Sequence, residues 1–275
     1  MQVTPHVYAE HIDDEAVRHP GGSNNYFVGD PAEGMIIVDT GEQDRKWTGQ
    51  ILSAYEGLGR PSITAIVITH GHQDHIGGLD RVFEAVHAPV RCHPKLVKRL
   101  ADIVGEENVV KLRAGERIPT GGGVSLLAIF TPGHENDHVC YYLARDRVMF
   151  TGDTVLGASS STVHDLADYM KSLEKLARHR VEVICSAHGP VVPMPRGARL
   201  IAWYINHRNE REQQVLAALG KGIGDVDGMV RDIYPRNLKK GLRQAAAGNV
   251  RTHLHKLVKE GVVEEVPATY RLKAE

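Results

Sequence analysis

One short stretch of this sequence groups four side chains of the types that bind metal ions: it reads Thr69-His70-Gly71-His72-Gln73-Asp74-His75. The stretch directly follows Ile63-Thr64-Ala65-Ile66-Val67-Ile68, an apolar and β-branched run that is typical of a buried strand. Imidazole and carboxylate groups at the end of such a strand need hydrogen bonds or an ion, because burial without partners is costly. A metal ion would serve all four of them. The stretch therefore predicts a metal site where the strand ends.

Three more candidate ligands lie where later strands are predicted to end. His134, Asp153 and His188 each lie beside a glycine just past such a run. Zinc and similar ions take imidazole nitrogens and carboxylate oxygens from several chain segments. Seven ligands are too many for one tetrahedral ion and suit two ions that share a carboxylate. Asp39 is expected to support the ligand loop through hydrogen bonds.

The stretch at 70–75 conforms to the pattern HxHxDH, the hallmark of metallo-β-lactamase-fold hydrolases, and the chain resembles that family. The resemblance implies an α/β fold, an αββα sandwich, with two zinc ions as the cofactor, although other divalent ions serve some members. It also implies the ligands: His70, His72 and His134 for one ion, Asp74, His75 and His188 for the second, and Asp153 as the bridge. The nucleophile would then be a hydroxide that bridges the two ions.

Two longer segments narrow the resemblance. They read YINHRNEREQQ at 204–214 and GNVRTHL at 248–254, and both are similar to segments of the group typified by the endoribonuclease β-lactamase-like protein 2. This similarity implies a metal-dependent endoribonuclease or phosphodiesterase that acts on single-stranded RNA. The alternative is a thioesterase or another small-ester hydrolase, similar to glyoxalase II or to polyketide thioesterases. Weak β-lactamase activity is compatible with this alternative. A non-enzymatic RNA-binding or scaffold protein with a relict site is a third hypothesis, and the complete ligand set counts against it.

Further residues are predicted to act beside the ions. Asp74 is expected to orient the nucleophile and to carry a proton to the leaving group. His138 would either donate to the developing oxyanion or cap a strand end. Asn25, Ser160 and His164 are expected to bind substrate at the rim of the cleft, because they lie beside predicted strand ends. The sequence has neither a GxSxG nucleophile motif nor a phosphate-binding P-loop, which favours the metal-based mechanism.

Composition narrows the class of protein. The chain of 275 residues is 42% hydrophobic and 24% charged, which is ordinary for a soluble globular protein. No apolar run reaches the roughly 18 residues that span a bilayer, so no membrane partner is expected. The start lacks the basic and apolar regions of a signal peptide. The three cysteines form no CxxC pair, which favours free thiols and a cytoplasmic location.

The order of predicted elements indicates two domains. Strands fall in two groups, each followed by helices, which favours two stacked sheets with helices outside. A segment with three prolines at 190–195 marks the boundary between a catalytic domain at 1–195 and a small, winged-helix-like domain at 196–275. In the second domain, helices are predicted at 199–219, 226–233, 238–246 and 249–259, and a hairpin follows them.

Charge is distributed unevenly over these two domains. Residues 196–275 hold 15 Lys and Arg against 9 Asp and Glu, a net of +6, whereas residues 1–195 have a net of −7. A basic region favours a polyanionic partner and supports the RNA hypothesis. The alternative is that the winged helix only packs, either on the catalytic domain or on a second subunit of a homodimer.

Overall fold

The computed structural model describes residues 1–13, 21–158, 160–266 and 269–272. Within these residues, two β-sheets form the centre of the N-terminal part. The first sheet holds, in spatial order, β1 (Gln2–Thr4), β2 (Val7–Ile12), β3 (Ser23–Asp30), β4 (Gly34–Val38), β5 (Ile63–Val67), β6 (Val90–Cys92) and β7 (Val109–Lys111). The second sheet holds β8 (Arg117–Thr120), β9 (Val124–Phe130), β10 (Val139–Leu143), β11 (Val148–Gly152) and β12 (Val183–Ser186).

Strand direction brings several strand ends to one edge of the sandwich. β9 and β11 both pair with β10 in antiparallel fashion, and β12 pairs with β11 in parallel. These three strands therefore run in the same direction, and their carboxyl ends share an edge. The segment after β5 reaches the same edge, because the carbonyl of Thr69 accepts a 2.7 Å hydrogen bond from the backbone N–H of Val139.

Helices cover the outer faces of both sheets. On the first sheet lie α1 (Arg45–Gly57), α2 (Gln73–Ile76), α3 (Leu79–Val86) and α4 (Val97–Val104), and on the second lies α5 (Leu166–Ala177). The core between the sheets contains Tyr26, Val67, Tyr141 and Phe150. Each sheet is thus buried on both faces, and the predicted αββα sandwich is confirmed.

The C-terminal part has its own core. It consists of α6 (Gly197–Gly220), α7 (Val226–Ile233), α8 (Lys240–Lys259) and the hairpin of β13 (Val263–Val266) and β14 (Thr269–Leu272). Val215, Met229 and Leu254 are buried in this core, whereas Leu200 and Tyr204 at the start of α6 pack against the second sheet. One helix therefore serves both cores, and the division between residues 195 and 196 stays a prediction.

The predicted break between helices at 238–246 and 249–259 is wrong, because α8 is continuous. A glycine inside a helix costs only about 1 kcal/mol relative to alanine. Burial of Ala247, Val250 and Leu254 around Gly248 offsets that cost.

The three cysteines lie in the core. Cys92, Cys140 and Cys185 are buried free thiols. Burial raises the pKa of all three, so none of them is an activated nucleophile. None of the helices in the described part of the chain combines the length and the apolarity that crossing a bilayer requires.

Candidate metal centre

Loops at the shared edge of the sandwich bring the predicted ligands together. His70 and His72 follow β5, α2 holds Asp74 and His75, and the others follow β9, β11 and β12. Their ligand atoms form two groups, and within each group the atoms lie within 4.8 Å of one another. The groups are His70, His72, His134 and Asp153 in one, and Asp74, His75 and His188 in the other. This grouping corresponds to the two ligand sets that the resemblance implies.

Imidazole nitrogens converge in the first group. Nε2 of His134 lies 3.3 Å from Nε2 of His70 and 3.7 Å from Oδ2 of Asp153. Nε2 of His72 lies 2.9 Å from Oε1 of Glu135. Because Glu135 occupies that nitrogen, Nδ1 of His72 is the atom left to face an ion.

Carboxylates lie between the imidazoles of the second group. Nε2 of His188 is 3.2 Å from Oδ2 of Asp74 and 3.3 Å from Oδ1 of Asp153. Nε2 of His75 is 3.6 Å from the same two oxygens. Asp153 therefore turns Oδ1 toward this group and Oδ2 toward His134, so its carboxylate lies between the two groups.

The protein fixes the orientation of the imidazoles through their other nitrogens. Nδ1 of His75 lies 2.8 Å from Oδ2 of the buried Asp39, whose oxygens also accept hydrogen bonds from the backbone and hydroxyl of Thr69. Nδ1 of His188 lies 3.0 Å from the hydroxyl of Ser23, and Nδ1 of His134 donates to the carbonyl of Thr162 at 2.7 Å. Such outer contacts set the ring orientation and leave Nε2 toward the centre. The hydrogen bonds predicted for Asp39 are present.

The donor set fits divalent metal ions. Nε2 of His75 and Oδ1 of Asp153 are buried and have no hydrogen-bond partner among the described residues. Buried polar atoms without partners are rare unless an ion or a water satisfies them. Imidazoles and carboxylates together suit zinc and iron, and they do not by themselves select one of these ions.

The electrostatics differ between the imidazoles. Burial and the neighbouring imidazoles lower the pKa of His70 well below its ordinary value, and burial also lowers the pKa of His134. Burial alone would lower the pKa of His75 as well, but the carboxylates of Asp39, Asp153 and Asp74 raise it to about 10. His70 and His134 therefore present neutral nitrogens, and the carboxylates of the second group make a strongly negative environment that attracts cations.

Comparison with known families identifies the family of the chain. Residues 18–188, more than half of the chain, match the Metallo-beta-lactamase superfamily. The chain belongs to this superfamily. Residues 226–271 match the Beta-lactamase associated winged helix domain, so the predicted winged helix is confirmed.

Several members of the metallo-β-lactamase superfamily are similar over most of the chain. Beta-lactamase-like protein 2 homologs of Drosophila melanogaster and Caenorhabditis elegans are both 34% identical, over 87% and 88% of this chain and 83% and 81% of their own. An atrochrysone carboxyl ACP thioesterase of Aspergillus fumigatus is 31% identical over 75% of this chain and 64% of its own. The chain is therefore a hydrolase of this superfamily, whose members similar to it include proteins named as thioesterases.

Solved structures agree in fold. A beta-lactamase domain protein from Burkholderia ambifaria has a TM-score of 0.79 at 19% identity, over 99% of this chain and 93% of its own. A metallo-beta-lactamase family protein from Thermus thermophilus has a TM-score of 0.71 at 23% identity, over 99% of this chain and all of its own. Both likenesses extend through the winged helix.

His138 lies behind the centre rather than in it. It is fully buried, and its ring stacks on that of His70 with centroids 5.0 Å apart. Its Nδ1 lies 2.9 Å from the hydroxyl of Thr131, and its Nε2 accepts a 3.2 Å hydrogen bond from the backbone N–H of Asp153. Gly152 permits this approach, since a Cβ there would lie 2.6 Å from Nε2 of His138. These contacts favour a positioning role for His138 over the predicted donation to an oxyanion.

Asn25 does not lie at a rim. Its side chain is buried, and Oδ1 approaches Gly41, on the face of β3 that packs toward α1. The preceding residue, Asn24, instead faces the edge of the sandwich where the candidate ligands lie, which we call the metal edge. Its Nδ2 donates to the carbonyls of Ser186 and Gly189, at 3.0 and 2.7 Å. Asn24 thereby supports the loop that holds His188. The predicted substrate role of Asn25 has no support in these contacts.

Ser160 and His164 lie in the segment that leads from Asp153 to α5. The His164 ring is parallel to that of His134, with centroids 6.2 Å apart, and its Nδ1 lies 3.1 Å from Oε1 of Glu135. Both residues line a cavity that extends toward α8. Sequence reasoning missed Glu135, since its place next to a ligand is the only signal that could have found it.

Proposed function

We propose that this chain is a two-metal hydrolase that cleaves phosphodiester bonds in single-stranded RNA. The observation that supports it most is the pair of ligand groups that share Asp153, with its two oxygens directed to different groups. Two ions held side by side are the arrangement that phosphodiester hydrolysis uses in many enzymes. The proposal takes zinc as the ion, since imidazoles predominate among the donors.

The seven proposed ligands form two sets, one for each ion. His70, His72 and His134 would hold one ion, and Asp74, His75 and His188 the other, with Asp153 between them. Bound ions supply Lewis acidity, which polarises the scissile group and makes water a nucleophile at neutral pH. Asp39 and Ser23 hold the rings of His75 and His188 in place for this purpose.

Asp74 is the proposed proton carrier. Its side chain is 14% exposed, whereas that of His75 beside it is 2% exposed. Among the residues of the second group it is thus the one that reaches furthest toward solvent and substrate. Its carboxylate can orient the attacking water, accept the proton that the water loses and pass it to the leaving oxygen.

Two features support RNA as the substrate. Two relatives that match over more than 80% of both chains are named as homologs of β-lactamase-like protein 2, and the resemblance to that group implies endoribonuclease activity. The winged helix presents exposed cations, among them Lys239, Arg243 and Arg251. Cations on one region attract the phosphates of a single strand.

The location that we propose for the protein is the cytoplasm. Its buried free thiols support this location.

Thioester hydrolysis is the second candidate. The thioesterase relatives support it, and so does an apolar cavity of about 680 Å³ lined by Leu156, Leu200 and Trp203. The backbone N–H of Gly157, which also lines this cavity, donates to the carbonyl of the proposed ligand His188. An acyl chain could therefore lie in the cavity close to the centre.

The test uses one nuclease-free preparation whose metal content has been measured. Wild type, Asp74→Ala and the matched control Asp102→Ala, which changes an exposed aspartate on α4, are assayed on a single-stranded RNA oligonucleotide and on a panel of thioesters. We expect wild type and Asp102→Ala to cut RNA and Asp74→Ala to be inactive. Turnover of thioesters alone would replace the proposal by the second candidate. RNA cleavage that persists in Asp74→Ala would contradict both candidate functions, because both depend on Asp74 at the metal centre.

A further inference from the structure

A cavity lies where the sandwich meets the winged helix. It has a volume of about 400 Å³, and its walls come from the segment 160–164, from α6 and from α8. We call it the junction cavity. Both group-typical segments of the sequence meet in it, because Arg208 of the first donates from Nη1 to Oδ1 of Asn249 of the second, at 2.9 Å.

Arg208 brings a buried charge to the junction cavity. The residue is 3% exposed, and among the described residues that line the cavity it is the only Lys, Arg, Asp or Glu. Its partners are neutral: Asn249, the hydroxyl of Ser160 at 3.2 Å and the carbonyl of Ser161 at 2.9 Å. The ring of Tyr169 lies 5.4 Å away. No carboxylate lies within ion-pair distance in the parts of the chain that the structure describes.

This arrangement is unusual for an arginine. The guanidinium stays charged at all relevant pH values, and buried charges are normally paired with an opposite charge. Nε of Arg208 is buried and has no hydrogen-bond partner among the described residues. The guanidinium therefore lines the cavity with a positive charge that no described carboxylate balances, and a guanidinium is well suited to bind a phosphate group.

The junction cavity adjoins the metal centre. The hydroxyl of Ser161, in the cavity wall, donates to the carbonyl of Asp153 at 2.6 Å. The carbonyl of Thr162, the residue after Ser161, accepts a hydrogen bond from Nδ1 of His134. One wall of the cavity is therefore the segment that holds the proposed bridging ligand. An anion bound to Arg208 lies one short segment away from that ligand.

We infer that the junction cavity is a subsite for a phosphate group of the substrate, with Arg208 as its cation and Ser160 at its rim. The inference rests on the proposed function for its choice of an RNA phosphate, outside the bond that is cleaved. It assigns specificity to two sequence segments that the metal centre does not use. The hydroxyl of Ser160, already in contact with Arg208, can donate to a phosphate oxygen.

Gly248 offers a test that leaves Arg208 and its hydrogen bonds unchanged. It lies on α8 in the cavity wall, and a Cβ there would meet open space. Gly248→Glu would place a carboxylate in the junction cavity as a competitor for phosphate, and Gly248→Gln is the uncharged control of the same size. Both changes favour the helix, so folding should be retained.

Two readouts separate the subsite from the proposed activity. The first is binding of inorganic phosphate to the metal-loaded proteins by calorimetry, in which we expect Gly248→Glu to bind about tenfold more weakly than wild type and Gly248→Gln to bind like wild type. The second is hydrolysis of an RNA oligonucleotide. There we expect KM to rise about tenfold in Gly248→Glu alone, with kcat and metal content unchanged.

Each outcome bears on a different claim. Equal phosphate binding by all three proteins would overturn the subsite, whatever the enzyme hydrolyses. Weaker phosphate binding by Gly248→Glu together with no RNA cleavage by wild type would retain the subsite and overturn both the RNA phosphate and the proposed function. A change in KM for carrier-bound phosphopantetheine thioesters, with none for RNA, would likewise overturn the assignment to RNA.

Discussion

The metal edge and the winged helix use charge in opposite ways. At the metal edge, imidazoles and carboxylates are buried together, and atoms of His75 and Asp153 lack hydrogen-bond partners among the described residues. In the winged helix, cations stay near the surface, where Lys256 is paired with Glu212 and Glu260. Clustered, partly unsatisfied charge needs a ligand and serves function, whereas paired surface charge contributes to stability or to weak attraction.

Some of the cations that make the C-terminal region basic are paired with carboxylates of the same chain. Lys259 donates to Asp165 of the catalytic part at 2.6 Å, and Lys256 is neutralised by glutamates. Two of the cations on α8 thus hold the region together rather than facing outward to a partner. The net charge of +6 overstates the number of free cations.

The largest effect is expected at the first ligand group. His134→Ala removes a nitrogen that lies between His70 and Asp153, so activity should fall to background on every substrate. The melting temperature of the metal-free protein should change little, because the lost hydrogen bond to the carbonyl of Thr162 is offset by relief of crowding among buried imidazoles and carboxylates. Activity assays and thermal unfolding check this. A variant that keeps the wild-type rate would contradict the metal-based mechanism.

A smaller effect is expected behind the ligands. Asp39→Asn keeps the size of the side chain but weakens its hold on His75 and Thr69, so metal affinity should fall by about 10-fold to 100-fold. Competition with a chromophoric chelator measures the affinity. Asp102→Ala serves as the control. Unchanged affinity would show that Asp39 has only a structural role.

Exposed cations of the winged helix should act on affinity and not on chemistry. In Lys239→Glu with Arg251→Glu, RNA binding should weaken, and the salt dependence of log K should flatten by roughly 0.7 for each phosphate that the variant no longer neutralises. The rate on a small ester should not change. Lys98→Glu with Lys111→Glu makes the same charge change on the catalytic part. Equal weakening by both pairs would show that the winged helix is not an RNA surface.

The smallest effect is expected at the paired charges. Burial raises the pKa of Glu212, but hydrogen bonds from His253 and Lys256 outweigh burial and lower this pKa below its ordinary value of 4.5. This pairing therefore stabilises the fold above that pH, and the stabilisation disappears as the pH falls through the lowered pKa. Glu212→Gln should lower the melting temperature at neutral pH and make it less sensitive to acid. A pH series of melting temperatures checks this, and parallel curves for both proteins would contradict it.

The sequence predicted the metal edge better than its surroundings. Ligands could be found because they lie in one dense motif and at strand ends, where parallel direction brings them together. β3 is buried along nearly its whole length, so alternation could not tell which of Asn24 and Asn25 faces the centre. β6 and β7 have three residues each and carry no periodic signal. The sequence shows Arg208 only as part of a motif, because its lack of a counter-charge can be seen only in three dimensions.

The central claim is that the two ligand groups hold two ions through a shared carboxylate. Metal analysis of protein purified with added zinc tests it directly, on wild type, Asp74→Ala and Asp102→Ala. We expect about two ions per chain in wild type and in Asp102→Ala, and about one in Asp74→Ala, which loses a ligand of the second group only. Wild type that binds no stoichiometric metal, or at most one ion, would contradict the account.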